Sequence, residues 1–160
     1  MTTFLIVDAQ SVKNADTDEE KGYDGGKKVS GIKRHIAVDT EGVPHAVSIT
    51  AANVTARAGA VALVEKSKRN LCFVKNVLVD GAYTGPTFQQ DIMSLIAATV
   101  EVAKRSELHT FAVIPKRWVV ERSFSWIEKC RRLWKNCERL IESSRAMVQL
   151  AFIRILVKRL

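Results

Sequence analysis

At 160 residues, with 47% hydrophobic and 26% charged residues, the chain has the make-up of one folded globular domain, and this excludes disorder as the default state. Its 25 lysines and arginines against 17 acids leave a net charge of +8, which favours a polyanionic partner such as nucleic acid, with an anionic membrane surface as the competitor. Cys72, Cys130 and Cys137 form no CxxC pair and are odd in number, so a disulfide framework is excluded and reduced, packed thiols are expected.

The amino terminus, Met1 to Asp8, has no charged region before its apolar run and no cleavage site, unlike a signal peptide. Phe4-Leu5-Ile6-Val7 reads as a buried strand that ends on the carboxylate of Asp8. From Ala9 to Ser30 the chain is polar and glycine-bearing, with an acidic cluster at Asp16, Asp18, Glu19 and Glu20, and it reads as a long mobile loop. Gly25-Gly26-Lys27-Lys28 lacks the GxxxxGK[ST] order and precedes a strand rather than a helix, so it is not a nucleotide-binding loop.

Ile32 to Val38 and Val43 to Thr50 form two strands of a hairpin around Asp39-Thr40-Glu41-Gly42. Lys33, Arg34 and His35, with Lys27 and Lys28 just before them, read equally well as a phosphate-holding stretch and as an exposed strand end. Ala56 to Lys68 reads as a crossover helix into Val77-Leu78-Val79, a second short apolar strand that ends on Asp80 and Gly81. Asp80 suits either a turn cap or a ligand position at the carboxyl end of a strand. Thr87 to Ser94 reads as a short helix, Leu95 to Val102 as a buried strand and Lys104 to His109 as a polar connection. The whole is an α/β domain, a mixed sheet flanked by helices.

Placed on a helix at about 100° per residue, Arg117 to about Leu140 gathers Val119, Val120, Trp126, Ile127, Cys130, Leu133, Trp134 and Cys137 on one arc. Glu121 falls on the opposite arc among Arg117, Lys129, Arg132, Lys135 and Arg139, with Trp118 and Phe124 at the margins. The tail from Glu142-Ser143-Ser144 onward starts with a capping serine and is apolar nearly all round. It is too short to span a bilayer and carries Gln149 and Arg154, so core burial is expected, with a homodimer face as the second reading.

Two strand-end aspartates and a helix glutamate are three hard oxygen donors, which suit Mg²⁺ or Mn²⁺ better than zinc, and His35, His45 and His109 are isolated. Two such ions can activate a water or 3′-hydroxyl and stabilise the leaving oxygen of a phosphodiester; the positions of the acids lead to the expectation that Asp8 would bridge both, Asp80 would hold one and Glu121 the other. The DNA-facing set expected around these acids is Lys27, Lys28, Lys33, Arg34, Arg117, Arg122, Lys129 and Arg132.

Ile6 to Lys13, Gly22 to Lys28, Lys33 to Asp39, Thr50 to Val54, Val79 to Gly85, Arg117 to Trp126 and Arg131-Arg132-Leu133 together resemble a bacterial insertion-sequence transposase core of the DDE type. That resemblance covers nearly the whole chain in order. It implies a ribonuclease H-like fold, two divalent metal ions, and cleavage of transposon ends followed by their joining to target DNA. Asp8, Asp80 and Glu121 match the triad, and Arg117 matches the arginine four positions before the glutamate. The chain departs from some relatives at Ile114, where they carry tyrosine, and at Glu128, where they carry a basic residue. It also lacks the region that usually precedes the first strand, so a truncated, inactive DNA-binding or regulatory remnant is the alternative function, and a general nuclease the third. A cytoplasmic protein, nucleoid-associated when bound to DNA and independent of membranes, is expected.

Overall fold

The computed structural model describes residues 2–15, 19–103 and 116–158. In chain order the elements are β1 (Phe4–Lys13), β2 (Gly22–Asp24), β3 (Val29–Val38), β4 (Pro44–Ala51), α1 (Ala56–Ser67), β5 (Asn76–Val79), a 3₁₀ turn (Gly81–Tyr83), α2 (Pro86–Ile96), β6 (Thr99–Val102), α3 (Arg117–Glu128) and α4 (Ile141–Val157). The polar connection expected at Lys104 to His109, Ile114, and the acids Asp16 and Asp18 lie outside the described residues.

One mixed sheet organises these elements, in the order β2-β3-β1-β5-β6, with β4 also paired to β3. β3 runs antiparallel to β1 from Ile6↔Val38 to Lys13↔Gly31, and β4 runs antiparallel to β3. β5 and β6 add on parallel to β1, as strands joined by helical crossovers must. Alternation along the strands then sorts the apolar side chains onto two faces. Leu5, Val7, Ala37, Val77 and Val79 pack with α1 and α2 through Leu63, Val64, Phe88 and Ile92. Ile6, Ile36, Val38 and Leu78 pack on the other face with α3 and α4 through Val119, Val120, Phe124, Ile127, Val148 and Phe152.

The structure corrects four expectations. β1 does not stop at Asp8, because Gln10, Ser11, Val12 and Lys13 continue the ladder with β3, and the expected loop contains the end of β1 and all of β2. α3 ends at Glu128, well short of Leu140, because the chain must turn at Cys130 and Leu133 to bring Asn136 against the end of β1. There Asn136 donates its N–H to Lys13 O at 2.9 Å, and Ala15 donates to Asn136 O at 2.8 Å. Trp134 and Cys137, placed by periodicity on the core arc, are consequently exposed, as is Cys72, although all three cysteines are free thiols as expected. Finally, α4 begins at Ile141 with no side-chain cap; Ser144 lies inside its first turn, buried, donating to Asn136 Oδ1 at 2.7 Å. α4 is also less completely covered than its composition suggests, since Leu150, Ile153 and Val157 are exposed.

His35 shows how closely α1 meets the sheet. Its ring is fully buried, with Nε2 at 2.9 Å from Thr50 Oγ1, and burial first, then the charges of Lys33 and Lys27, lowers its pKa to about 4. Gly59 of α1 lies over the ring so closely that an added methyl would overlap its carbon and nitrogen atoms. Gly59→Ala is therefore expected to destabilise the fold by about 1–3 kcal/mol by overpacking, despite the higher helix propensity of alanine, as read from the urea midpoint.

Candidate active site

The parallel pairing of β1 and β5 positions the two aspartates. Its register runs Phe4↔Asn76, Leu5↔Val77, Ile6↔Leu78, and continuing it sets Asp8 opposite Asp80, on strands about 4.8 Å apart. Asp80 keeps an extended backbone (φ −87°, ψ 178°) although β5 has formally ended. The turn-cap reading of Asp80 holds, since its Oδ1 accepts the N–H of Ala82 at 2.9 Å and caps the 3₁₀ turn, while Oδ2 lies 3.5 Å from Arg117 Nη2. Asp8 follows Ile6 by two residues and so shares the face covered by α3. Half-buried there, it is pushed up to about 6, first by loss of water and further by the charge of Asp80, against the N–H of Ala9 and the cations Lys27 and Arg117.

Arg117 opens α3 and divides its charge between the sheet and its own helix. One end reaches Asp80, and Nε lies 3.7 Å from Glu121 Oε1, one helical turn along. Glu121 is 60% exposed, so the structure brings the glutamate to the site through the arginine rather than by direct approach to the aspartates. Among the described residues no three His, Cys, Asp or Glu side chains stand close enough together to hold a metal ion. The chemistry of the donors still fits one: two adjacent carboxylates, one of them raised by its neighbour and by burial, are relieved by a hard divalent cation.

The basic residues separate into two groups. Lys27, Lys28, Lys129 and Arg132 are exposed, and Arg132 pairs with Glu138 at 2.7 Å. Arg122 donates to Glu41 O at 2.8 Å and lies 4.5 Å from the Trp118 ring centre and 4.9 Å from that of Trp126. Lys33 and Arg34, in contrast, are not on the surface. Lys33 is buried, bonded to Val54 O at 2.7 Å and paired with Asp24 at 3.1 Å. Arg34 is 1% exposed, its three guanidinium nitrogens make no hydrogen bond among the described residues, and burial lowers its pKa to about 10. Phe124 is buried, whereas Trp118 is exposed beside Glu121. Glu128 accepts from Gln10 Nε2 at 2.6 Å and so ties the end of α3 to β1.

Two participants escaped the sequence reading. Tyr83 is buried with no hydrogen-bond partner for its hydroxyl among the described residues, and burial first, then the charges of Asp8 and Asp80, raises its pKa beyond the usual range. Asp24 receives four bonds from the β2–β3 turn, β1 and β3. The glycines beside them were visible in the sequence; their partners lie on other strands.

The fold is that of a retroviral integrase catalytic core. The BIV integrase catalytic core domain superposes with a TM-score of 0.56 at 12% identity, covering 96% of this chain and 82% of that one. A chain of the simian T-cell lymphotropic virus intasome in complex with PP2A regulatory subunit B56 gamma superposes with a TM-score of 0.60 at 17% identity, covering 94% of this chain and 47% of that one, so the chain spans about half the length of that protein. No curated protein sequence matches the chain. The transposase DDE domain family matches residues 1–156, and the chain belongs to that family. The expected ribonuclease H-like fold is confirmed. No helix among the described residues is long and apolar enough to cross a membrane.

The raised pKa of Asp8 carries a sign. Because the folded value of about 6 exceeds the unfolded 3.8, the ionised carboxylate opposes folding above pH 6, and this cost is relieved as pH falls towards 3.8. Asp8→Asn is expected to stabilise the metal-free chain by about 1–3 kcal/mol at pH 8, with the gain shrinking below pH 6. Thermal unfolding in a chelating buffer at the two pH values checks this.

Proposed function

We propose that this chain is the catalytic domain of a transposase that cleaves DNA at insertion-sequence ends and joins the resulting 3′-hydroxyls to target DNA. The observation that supports it most directly is the register that sets Asp8 opposite Asp80, with Arg117 linking Asp80 to Glu121. Asp8, Asp80 and Glu121 would hold two Mg²⁺ or Mn²⁺ ions, and Glu121 would be freed to join that set if Arg117 took the phosphate of the substrate in its place. When bound, the ions supply activation of the attacking oxygen and charge stabilisation at the leaving oxygen. Arg117 then orients a phosphate beside Asp80 through its planar fork. Lys27, Lys28, Lys129 and Arg132 supply exposed positive charge for the DNA backbone, and Arg122 braces Trp118 and the β3–β4 turn against α3. A second copy on the exposed apolar stripe of α4 is the proposed oligomeric contact.

The resting ion pair between Arg117 and Glu121 favours one other reading, a DNA-binding remnant of the same fold that does not turn over. Cleavage of a supercoiled plasmid with and without Mn²⁺ or Mg²⁺ separates the two. Nicking that requires metal and drops by at least ~100-fold in Asp8→Asn, Asp80→Ala and Glu121→Gln is expected of the enzyme. A folded chain that binds DNA and nicks none would establish the remnant, and hydrolysis with no joining of 3′-ends would establish a general nuclease.

A further inference from the structure

The Gly25-Gly26-Lys27-Lys28 stretch is no phosphate loop by its order, yet it is held with unusual care. Asp24 closes β2, and its Oδ1 accepts the N–H groups of Gly26 and Lys27, each at 3.1 Å. Its Oδ2 accepts the hydroxyl of Ser11 at 2.6 Å and pairs with the buried Lys33 at 3.1 Å. The Ser11 bond above all, with the turn N–H groups and Lys33, holds this carboxyl well below the usual range, so the clamp stays charged. Ser11 lies on β1, three residues beyond Asp8, and the clamp thus ties the turn to the strand that carries the central acid. Lys28 adopts a left-handed backbone (φ 53°), a conformation that persists in a non-glycine residue only where its surroundings enforce it.

The product of this arrangement is the position of Lys27. Although its residue is exposed, its ammonium reaches back to donate to Ala9 O at 3.1 Å, the carbonyl of the residue that follows Asp8. Among the described residues no carboxylate forms an ion pair with it. An ammonium has three donors, and one is used by Ala9, which leaves two for an anionic oxygen. A phosphodiester brought to Asp8 and Asp80 adds negative charge where two carboxylates already repel, and Arg117 is shared between Asp80 and Glu121.

We infer that Lys27 grips a non-bridging oxygen of the phosphodiester reacting at Asp8 and Asp80, and that Asp24 is the positioning residue that holds it there. This rests on the DNA-cleaving reading above and assigns one exposed lysine to the reacting phosphate rather than to the general backbone contact.

The test combines single-turnover plasmid nicking in Mn²⁺ at saturating protein, salt titration of DNA binding, and trypsin digestion of the whole chain. Lys27→Gln is expected to lower the nicking rate about 10–100-fold while DNA affinity changes less than ~3-fold, because one phosphate contact among several is lost. Lys27→Arg should restore much of the rate. Asp24→Asn, and the milder Ser11→Ala, should speed tryptic cutting after Lys27 and Lys28 and lower the nicking rate, and adding Asp24→Asn to Lys27→Gln should lower it no further. Asp8-dependent nicking at an unchanged rate in Lys27→Gln would overturn the inference and leave the function standing. Faster tryptic cutting in Asp24→Asn with an unchanged nicking rate would overturn the positioning role, and an unsubstituted chain that nicks no DNA would overturn the inference and the function together.

Discussion

The structure depends on a carboxylate held in the interior of its central strand. Asp8 sits midway along β1, between the antiparallel β3 and the parallel β5, and the second acid is set beside it by strand register. Ionising such a group costs free energy that only opposite charge or hydrogen bonds return. Its surroundings answer that cost: the N–H of Ala9 bonds the carboxylate at 2.7 Å, and Lys27 and Arg117 approach from a turn and a helix far away in sequence. Any further positive charge brought to this carboxylate would relieve the part of the cost that Lys27, Arg117 and the N–H of Ala9 leave.

The excess of basic residues has two destinations. Part of it is structural, since Lys33 and Arg34 are buried in β3 and Lys33 is consumed by Asp24 and Val54. Another part is exposed, as at Lys27, Lys28, Lys129 and Arg132, and Arg117 stands between Asp80 and Glu121 at distances of 3.5 and 3.7 Å. Ion pairs that long and partly exposed are weak, so exchange of a carboxylate for a phosphate at Arg117 costs little.

α3 joins the two halves of this balance. Its apolar side fills the sheet face through Val119, Val120, Phe124 and Ile127, while Ser123 bonds Gly42 O at 3.1 Å and so docks the β3–β4 turn. Gly42 has a left-handed backbone (φ 86°), and a Cβ there would press on the Ser123 hydroxyl and the Trp126 ring, so the turn and helix are fitted to one another. Packing of this kind keeps Arg117, and through it Glu121, beside Asp80 at the end of β5.

How much of this was legible follows from the range of the forces involved. The amino-acid sequence by itself determined the hydrophobic periods, the α/β class and the family, and it singled out Asp8, Asp80 and Glu121 as candidates, because strand alternation, turn dipeptides and motif order are local properties of the chain. It did not reveal that β1 runs on to Lys13, since Gln10 and Ser11 look like loop residues until Glu128 and Asp24 bond them from elsewhere. It extended α3 past Glu128, because helical periodicity carries no notice that the backbone of Asn136 is claimed by Lys13 and Ala15. It placed Lys33 and Arg34 on a surface, since burial of a cation is decided by what packs above it. Register, burial and the pairing of Arg117 arise from contacts between distant segments, and only the tertiary structure decided them.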